Sequence, residues 1–109
     1  MKENILIDKS IEFAARIIKL QRYLVRDKKE SVISKQIIRS GTSIGANTNE
    51  ANYGQSKADF ISKLHISLKE TAKTEYWLIL LVKSELLTNE EGESLLKDCL
   101  EIKRVLISQ

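Results

Sequence analysis

The chain has no proline, and its 109 residues include only four glycines, two phenylalanines, one tryptophan, one histidine and one cysteine. Each shortage excludes something. An architecture of short strands joined by tight turns lacks the residues that make such turns, so long helices are favoured. A single cysteine, Cys99, cannot form an internal disulfide and suits a reducing compartment, so a cytoplasmic location is expected. His65 and Cys99 alone cannot supply the clustered imidazole and thiolate ligands of a zinc site. No glutamate stands three residues before His65 to make the Glu-x-x-His pair of di-metal bundles. No metal or other cofactor is expected. The longest apolar run, Tyr76 to Val82, has seven residues, far below the roughly 20 that span a bilayer. No basic start followed by an apolar stretch marks a signal peptide.

What is present is helix-forming and charged. A chain of 109 residues holds one core, and a single domain over 1–109 is expected. The formal net charge is +3, which by itself names no partner. Its distribution is more telling: residues 8–30 carry seven Lys/Arg against four Asp/Glu, and residues 88–109 carry three against five.

Four helical segments follow from apolar spacing. The first is predicted over about Lys9–Lys28, capped by Asp8 or Ser10, with Phe13, Ala14, Ile17, Leu20, Gln21 and Leu24 on one face. The second spans roughly Ser31–Asn52, with Ile33, Ile37, Ile44 and Ala51 inward and Gly54 as a left-handed cap. Gly41 and Gly45 lie within it at one-turn spacing. Each costs a helix interior about 1 kcal/mol against alanine, so close approach of another backbone is the expected reason; a break at Ser40-Gly41 is the alternative. The third runs from Lys57 to Leu87 behind Ser56, with Phe60, Ile61, Leu64, Leu68, Ala72, Ile79, Val82 and Leu86 inward. The fourth opens with a capping box, Thr88-Asn-Glu-Glu91, and buries Leu95, Leu96, Cys99, Ile102, Val105 and Leu106. Short links make neighbouring helices antiparallel, so the predicted fold is an all-α, up-down-up-down four-helix bundle.

Chemistry is sparse. GTSIGAN has neither the glycine spacing nor the Lys-Ser/Thr of a phosphate loop. Only His65 stands ready as a general base, and Glu50, Glu70 and Glu75 read more simply as structural carboxylates than as a catalytic pair. No enzyme activity is expected. The best functional candidate is a basic stripe on the first helix, Arg16, Lys19, Arg22, Arg26 and Lys29, able to track a phosphate backbone of RNA or DNA. Lys35 and Arg39 extend it if the second helix lies alongside. The plain alternative is a solvated face or ion pairing with the acidic fourth helix. The best interface candidate is the apolar belt of Trp77, Leu80 and Leu81, with Ile66. Its plain alternative is a broad core contact.

The stretch IIRSGTSIGANTNEANYG, followed by DFISKLHISLKETAKTEYWLILL, resembles the four-helix-bundle proteins encoded in intervening sequences of bacterial large-subunit ribosomal RNA genes. The elements that carry it are Arg39-Ser40, Ser43, Ala46-Asn47, Glu50-Ala51 before Gly54, Phe60, Lys69-Glu-Thr and Thr74-Glu-Tyr-Trp-Leu78. Gly45 and Asn49 depart from the usual pattern. Relatives of that family include the accessory variability-determinant proteins of diversity-generating retroelements. The resemblance implies an antiparallel bundle assembling into a homopentamer, a basic surface able to bind nucleic acid, and a possible reverse transcriptase partner. It casts Asn47 and Glu50 as polar anchors between the second and third helices. Two functions stand open: a non-enzymatic oligomeric scaffold for nucleic acid, and a structural protein–protein adaptor.

Overall fold

A computed structural model describes residues 2–109, with side chains described from Ile5 onward. It has four helices, α1 (Lys2–Arg26), α2 (Val32–Ala51), α3 (Lys57–Lys83) and α4 (Asn89–Ile107), and no strand among the described residues. Each helix packs on its chain neighbour and α4 closes back on α1, which is the expected up-down-up-down bundle. The rod measures 44 × 21 × 18 Å. Its core is aliphatic: Phe13, Ile17, Leu24, Ile37, Ile44, Leu78, Leu81 and Ile102 are almost wholly buried. Full burial of such a side chain stabilises by about 1.5–3 kcal/mol.

The helix ends correct the expectation in three places. α1 begins well before Lys9, so Asp8 and Ser10 lie inside it rather than capping it. The Ser10 hydroxyl donates to Leu6 O at 2.7 Å, within its own helix and away from solvent. Hydroxyls satisfied in this way are compatible with a helix interior. α2 runs unbroken through both glycines because α1 lies against them. A Cβ on Gly41 would stand 2.9 Å from Ile17 Cγ1 and Cγ2, and one on Gly45 would stand 3.0 Å from Ser10 Cβ. Gly54 is not left-handed; α2 ends through Asn52 in a right-handed turn. α3 stops at Lys83 because Glu85 takes a left-handed φ of 64° and Leu86 N–H donates back to Leu81 O, a Schellman closure.

Caps are supplied by side chains. The Glu30 carboxylate accepts from the backbone N–H of Val32, Ile33 and Ser34 at 2.8–2.9 Å, doing for α2 what Ser31 does not. Ser56 caps α3 through Asp59 N–H, and the Thr88–Glu91 box caps α4 as expected.

The inward face of α3 also differs from expectation. Its buried line is Ser67, Thr71, Thr74, Leu78 and Leu81, whereas Ile61, Ala72 and Ile79 face solvent. The pleat of small residues on α2 explains this. Ser40 and Thr48 bring α3 close, leaving room there for hydroxyls rather than isobutyl groups. Thr48 and Ser67 hydroxyls meet at 3.0 Å, Ser67 donates to Ile44 O at 3.0 Å, and Thr74 donates to Ser40 Oγ at 2.9 Å.

Candidate nucleic-acid interface and association faces

The basic stripe of α1 divides in two. Arg16 leans onto α4, donating to Asp98 Oδ2 at 2.6 Å and to Ser94 O and Oγ at 3.3 and 2.9 Å. Lys9, two turns earlier on the same face, pairs with Glu101. Their hydrogen bond, and then the attraction of the two charges, holds Glu101 below the usual carboxylate range; the same bond raises Lys9. These two pairs fasten α1 to α4, the loosest edge of the bundle. Lys19, Arg22 and Arg26 are exposed and make no ion pair among the described residues. Lys29 sits past the helix in a left-handed turn, φ 56°. Lys35 is exposed on α2, while Arg39 turns toward α3 and lines a groove with Gln36, Glu70 and Trp77, away from the stripe.

Beside the free cations runs an open groove of about 640 Å³ between α1 and α4, floored by Leu20, Tyr23, Leu87 and Leu95 and lipped by Lys19, Glu90 and Glu91. Tyr23 carries the Lys28 ammonium 5.9 Å above its ring. Sequence reading passed over Tyr23; its place on the flank of the stripe was the available signal.

The apolar belt of α3 is split by depth. Leu81 is wholly buried in the monomer core and offers nothing to a partner, which corrects its place among the interface residues. Trp77 and Leu80 are half-buried on the α2/α3 side, and Ile66 is exposed. Tyr76 meets Trp77 edge-on at 5.0 Å between centroids and is itself largely exposed. The polar anchors also differ from expectation. Asn47 donates to Ser43 O within its own helix, and Glu50 reaches α3 only through an exposed pair with Lys63 at 3.3 Å. The α2/α3 bridges are the buried hydroxyls.

The remaining reactive groups are quiet. Burial, then the Glu75 charge, pushes the Cys99 thiol up to about 12, and Sγ donates to Thr71 O at 3.5 Å. A thiol so held is not a nucleophile at neutral pH. His65 is exposed above a shallow groove of Phe60, Ile61, Leu64 and Ile107. Among the described residues no three His, Cys, Asp or Glu gather to hold a metal ion, and no helix is long and apolar enough to cross a membrane.

A four-helix bundle with Arg39-Ser40, Glu50-Ala51 and Thr74–Leu78 in these places is matched by one family model. It is that of the 23S rRNA-intervening sequence proteins, over residues 2–108. The chain belongs to that family. Among solved structures, a protein of unknown function from the S23 ribosomal protein family of Bacteroides thetaiotaomicron VPI-5482 is 57% identical. The alignment covers 99% of this chain and 96% of that one, with a TM-score of 0.98. No curated protein matches.

Proposed function

We propose that this intervening-sequence protein is a non-enzymatic scaffold that assembles with copies of itself and binds nucleic acid through α1. The observation that carries the proposal is the difference between the cations of that helix. Lys9 and Arg16 are spent on α4, whereas Lys19, Arg22 and Arg26 stand exposed without a partner anion. Three guanidinium and ammonium groups on one helical edge fit successive phosphates. The family's name mentions 23S rRNA, which makes structured RNA the first ligand to try. Five copies and a reverse transcriptase partner belong to the same proposal on the strength of the resemblance, and a cytoplasmic setting follows from such partners.

The test is binding of structured RNA and duplex DNA over a salt series, for the native chain and for Lys19→Gln/Arg22→Gln/Arg26→Gln. The native chain is expected to show a steep fall of log affinity with log salt. The variant should lose up to about 0.7–0.9 of slope per phosphate contact removed. No binding at low salt, or an unchanged slope in the variant, overturns the nucleic-acid reading. The exposed Ile11 and Ile18 of α1, Ile79 of α3 and Leu100 of α4 would then favour the protein–protein adaptor.

A further inference from the structure

The groove beside the α1 cations has an apolar floor that phosphate binding alone does not need. Leu20, Leu87 and Leu95 form that floor, and its volume of about 640 Å³ falls within the roughly 300–1,000 Å³ of small-ligand sites. Tyr23 is its half-buried wall, and the same ring lines a second hollow of about 360 Å³ on the side of Lys28, Val82 and Leu86. The Lys28 ammonium, 5.9 Å from the ring centroid, belongs to an exposed side chain past the end of α1. A movable group rather than packed core therefore covers that face. At about 100° per residue, Tyr23 stands about 40° from Lys19 on the α4 side, while Arg26 and Arg22 stand about 20° and 60° to the other. An aromatic wall thus adjoins, on one edge of one helix, a row of cations that form no ion pair among the described residues.

We propose that this groove takes one base of an unpaired RNA stretch, stacked against Tyr23, while the phosphates flanking that nucleotide lie on Lys19 and Arg26. This rests on the nucleic-acid reading above and narrows its ligand to single strands. Lys19 and Arg26 are about 10 Å apart along the helix axis with Tyr23 between them, and both side chains are long enough to reach inward. Stacking on an aromatic side chain beside a basic track is how single strands are held without regard to sequence.

The charges of the two rims choose the occupant. The α1 rim is cationic, whereas the α4 rim carries Glu90 and Glu91. Glu91 is held by Thr88 in the helix cap, and Glu90 forms no ion pair among the described residues. A carboxylate there repels a phosphate but accepts a hydrogen bond from the amino group of a base. The strand is therefore kept to the α1 rim with its base turned inward. An acyl chain or the apolar face of a helix would cover the leucines and leave the cations unmatched. In a duplex the bases are already paired and stacked on one another, so the groove stays empty. Charge alone favours the duplex, which carries one phosphate per about 1.7 Å of axis against about 3.4 Å for one strand. A preference for the single strand therefore requires contact with bases.

The experiment compares a single-stranded RNA of about 12 nucleotides with an RNA duplex of the same length, over a salt series. The full native chain, Tyr23→Leu and Tyr23→Phe are used, each variant checked for helicity and melting. The native chain should bind the single strand more tightly than the duplex. Tyr23→Leu should weaken single-strand binding by about 5- to 150-fold, the worth of one stacked base. Its salt slope should not change, because no phosphate contact is removed, and its duplex affinity should stay as it was. Tyr23→Phe keeps the ring and should bind as the native chain does. Should Tyr23→Leu fail to fold, the native chain is irradiated with a strand carrying 5-iodouridine, and the adduct mapped by mass spectrometry should fall on Tyr23. Adducts at other residues only overturn the proposal. Duplex binding as tight as single-strand binding, with Tyr23→Leu like the native chain, overturns the base site and leaves nucleic-acid binding by α1 standing. A single-strand preference that survives Tyr23→Leu overturns the choice of groove. No binding of either RNA at low salt overturns both readings and leaves the groove to a protein side chain.

Discussion

Gly41 is the residue on which the α1/α2 approach depends. A methyl there would lie 2.9 Å from both γ-carbons of Ile17, a β-branched side chain that cannot swing clear within a helix. Overpacking of this kind costs about 1–3 kcal/mol, whereas alanine returns about 1 kcal/mol of helix propensity. Gly41→Ala should therefore destabilise by roughly 0.5–2 kcal/mol, read as a lower urea midpoint at constant m-value. A gain in stability would mean that the helices are free to part. Ile17→Ala should cost less in the Gly41→Ala background than in the native chain, since it removes both crowded γ-carbons. Gly45 faces Ser10 across a gap nearly as small, so the pair of glycines marks one continuous close contact.

At the scale of the elements, α2 and α3 are joined by hydroxyls, and the bonds there are coupled. Ser67 donates to Ile44 O and shares a hydrogen bond with Thr48, whose own hydroxyl also reaches Ile44 O. Removing one partner costs the bond between the hydroxyls, about 0.5–1.5 kcal/mol, and leaves the survivor with Ile44 O alone, whereas removing both loses that shared bond only once. Thr48→Val and Ser67→Ala should thus each destabilise, and the double variant should lose less than the sum by about 0.5 kcal/mol or more. Strict additivity in a denaturation cycle would deny the coupling. The start of α4 gives a second prediction. The Thr88 backbone N–H, and then its hydroxyl, hold the Glu91 carboxylate below its ordinary range. A lowered folded-state value means the stabilisation is complete above the unfolded value of about 4.3 and is lost as pH falls through the folded one. Glu91→Gln keeps the acceptor without the charge, so its deficit in melting temperature should shrink between pH 6 and pH 3. A deficit that stays constant would show that the charge contributes nothing.

These elements also show what was legible beforehand. The four helices, their order and the faces of α1, α2 and α4 follow from aliphatic residues at helical spacing, and the Thr88 box is a local signal that acts locally. The α3 face did not follow. Its core line is Ser67, Thr71 and Thr74, polar residues made compatible with burial by bonds to their own helix and to α2, while its isoleucines point outward. Apolar periodicity cannot distinguish a residue that faces the core from one that faces another molecule. The same ambiguity placed buried Leu81 among interface candidates. Glu30 capped α2 from an unexpected position because the preceding turn folds back: Glu30 N–H donates to Leu24 O at 2.9 Å. Arg16 joined the basic stripe by spacing alone, and only packing against α4 reveals that its charge is already matched.

On the scale of the whole molecule, the unpaired α1 cations and the exposed apolar residues of α3 and α4 lie on different helices, so the two halves of the proposal can be tested apart. Among the described residues of α1, a single chain offers Lys19, Arg22 and Arg26 as unpaired cations. Three phosphate contacts at about 0.7–0.9 each limit its slope of log affinity against log salt to roughly −2 to −3. An assembled ring presents several such edges to one nucleic acid and should exceed that limit, with affinity raised by effective concentration rather than by new contacts. A variant with glutamate at the exposed Ile79 of α3 and Leu100 of α4, Ile79→Glu/Leu100→Glu, removes apolar surface that self-assembly would cover and leaves every cation of the stripe in place. It should bind RNA far more weakly than the native chain, with a slope no steeper than about −3, while retaining its helical content and its melting transition. A variant that is monomeric yet binds with the native slope would place the whole nucleic-acid site on one chain, and the role of assembly would have to be sought in a protein partner.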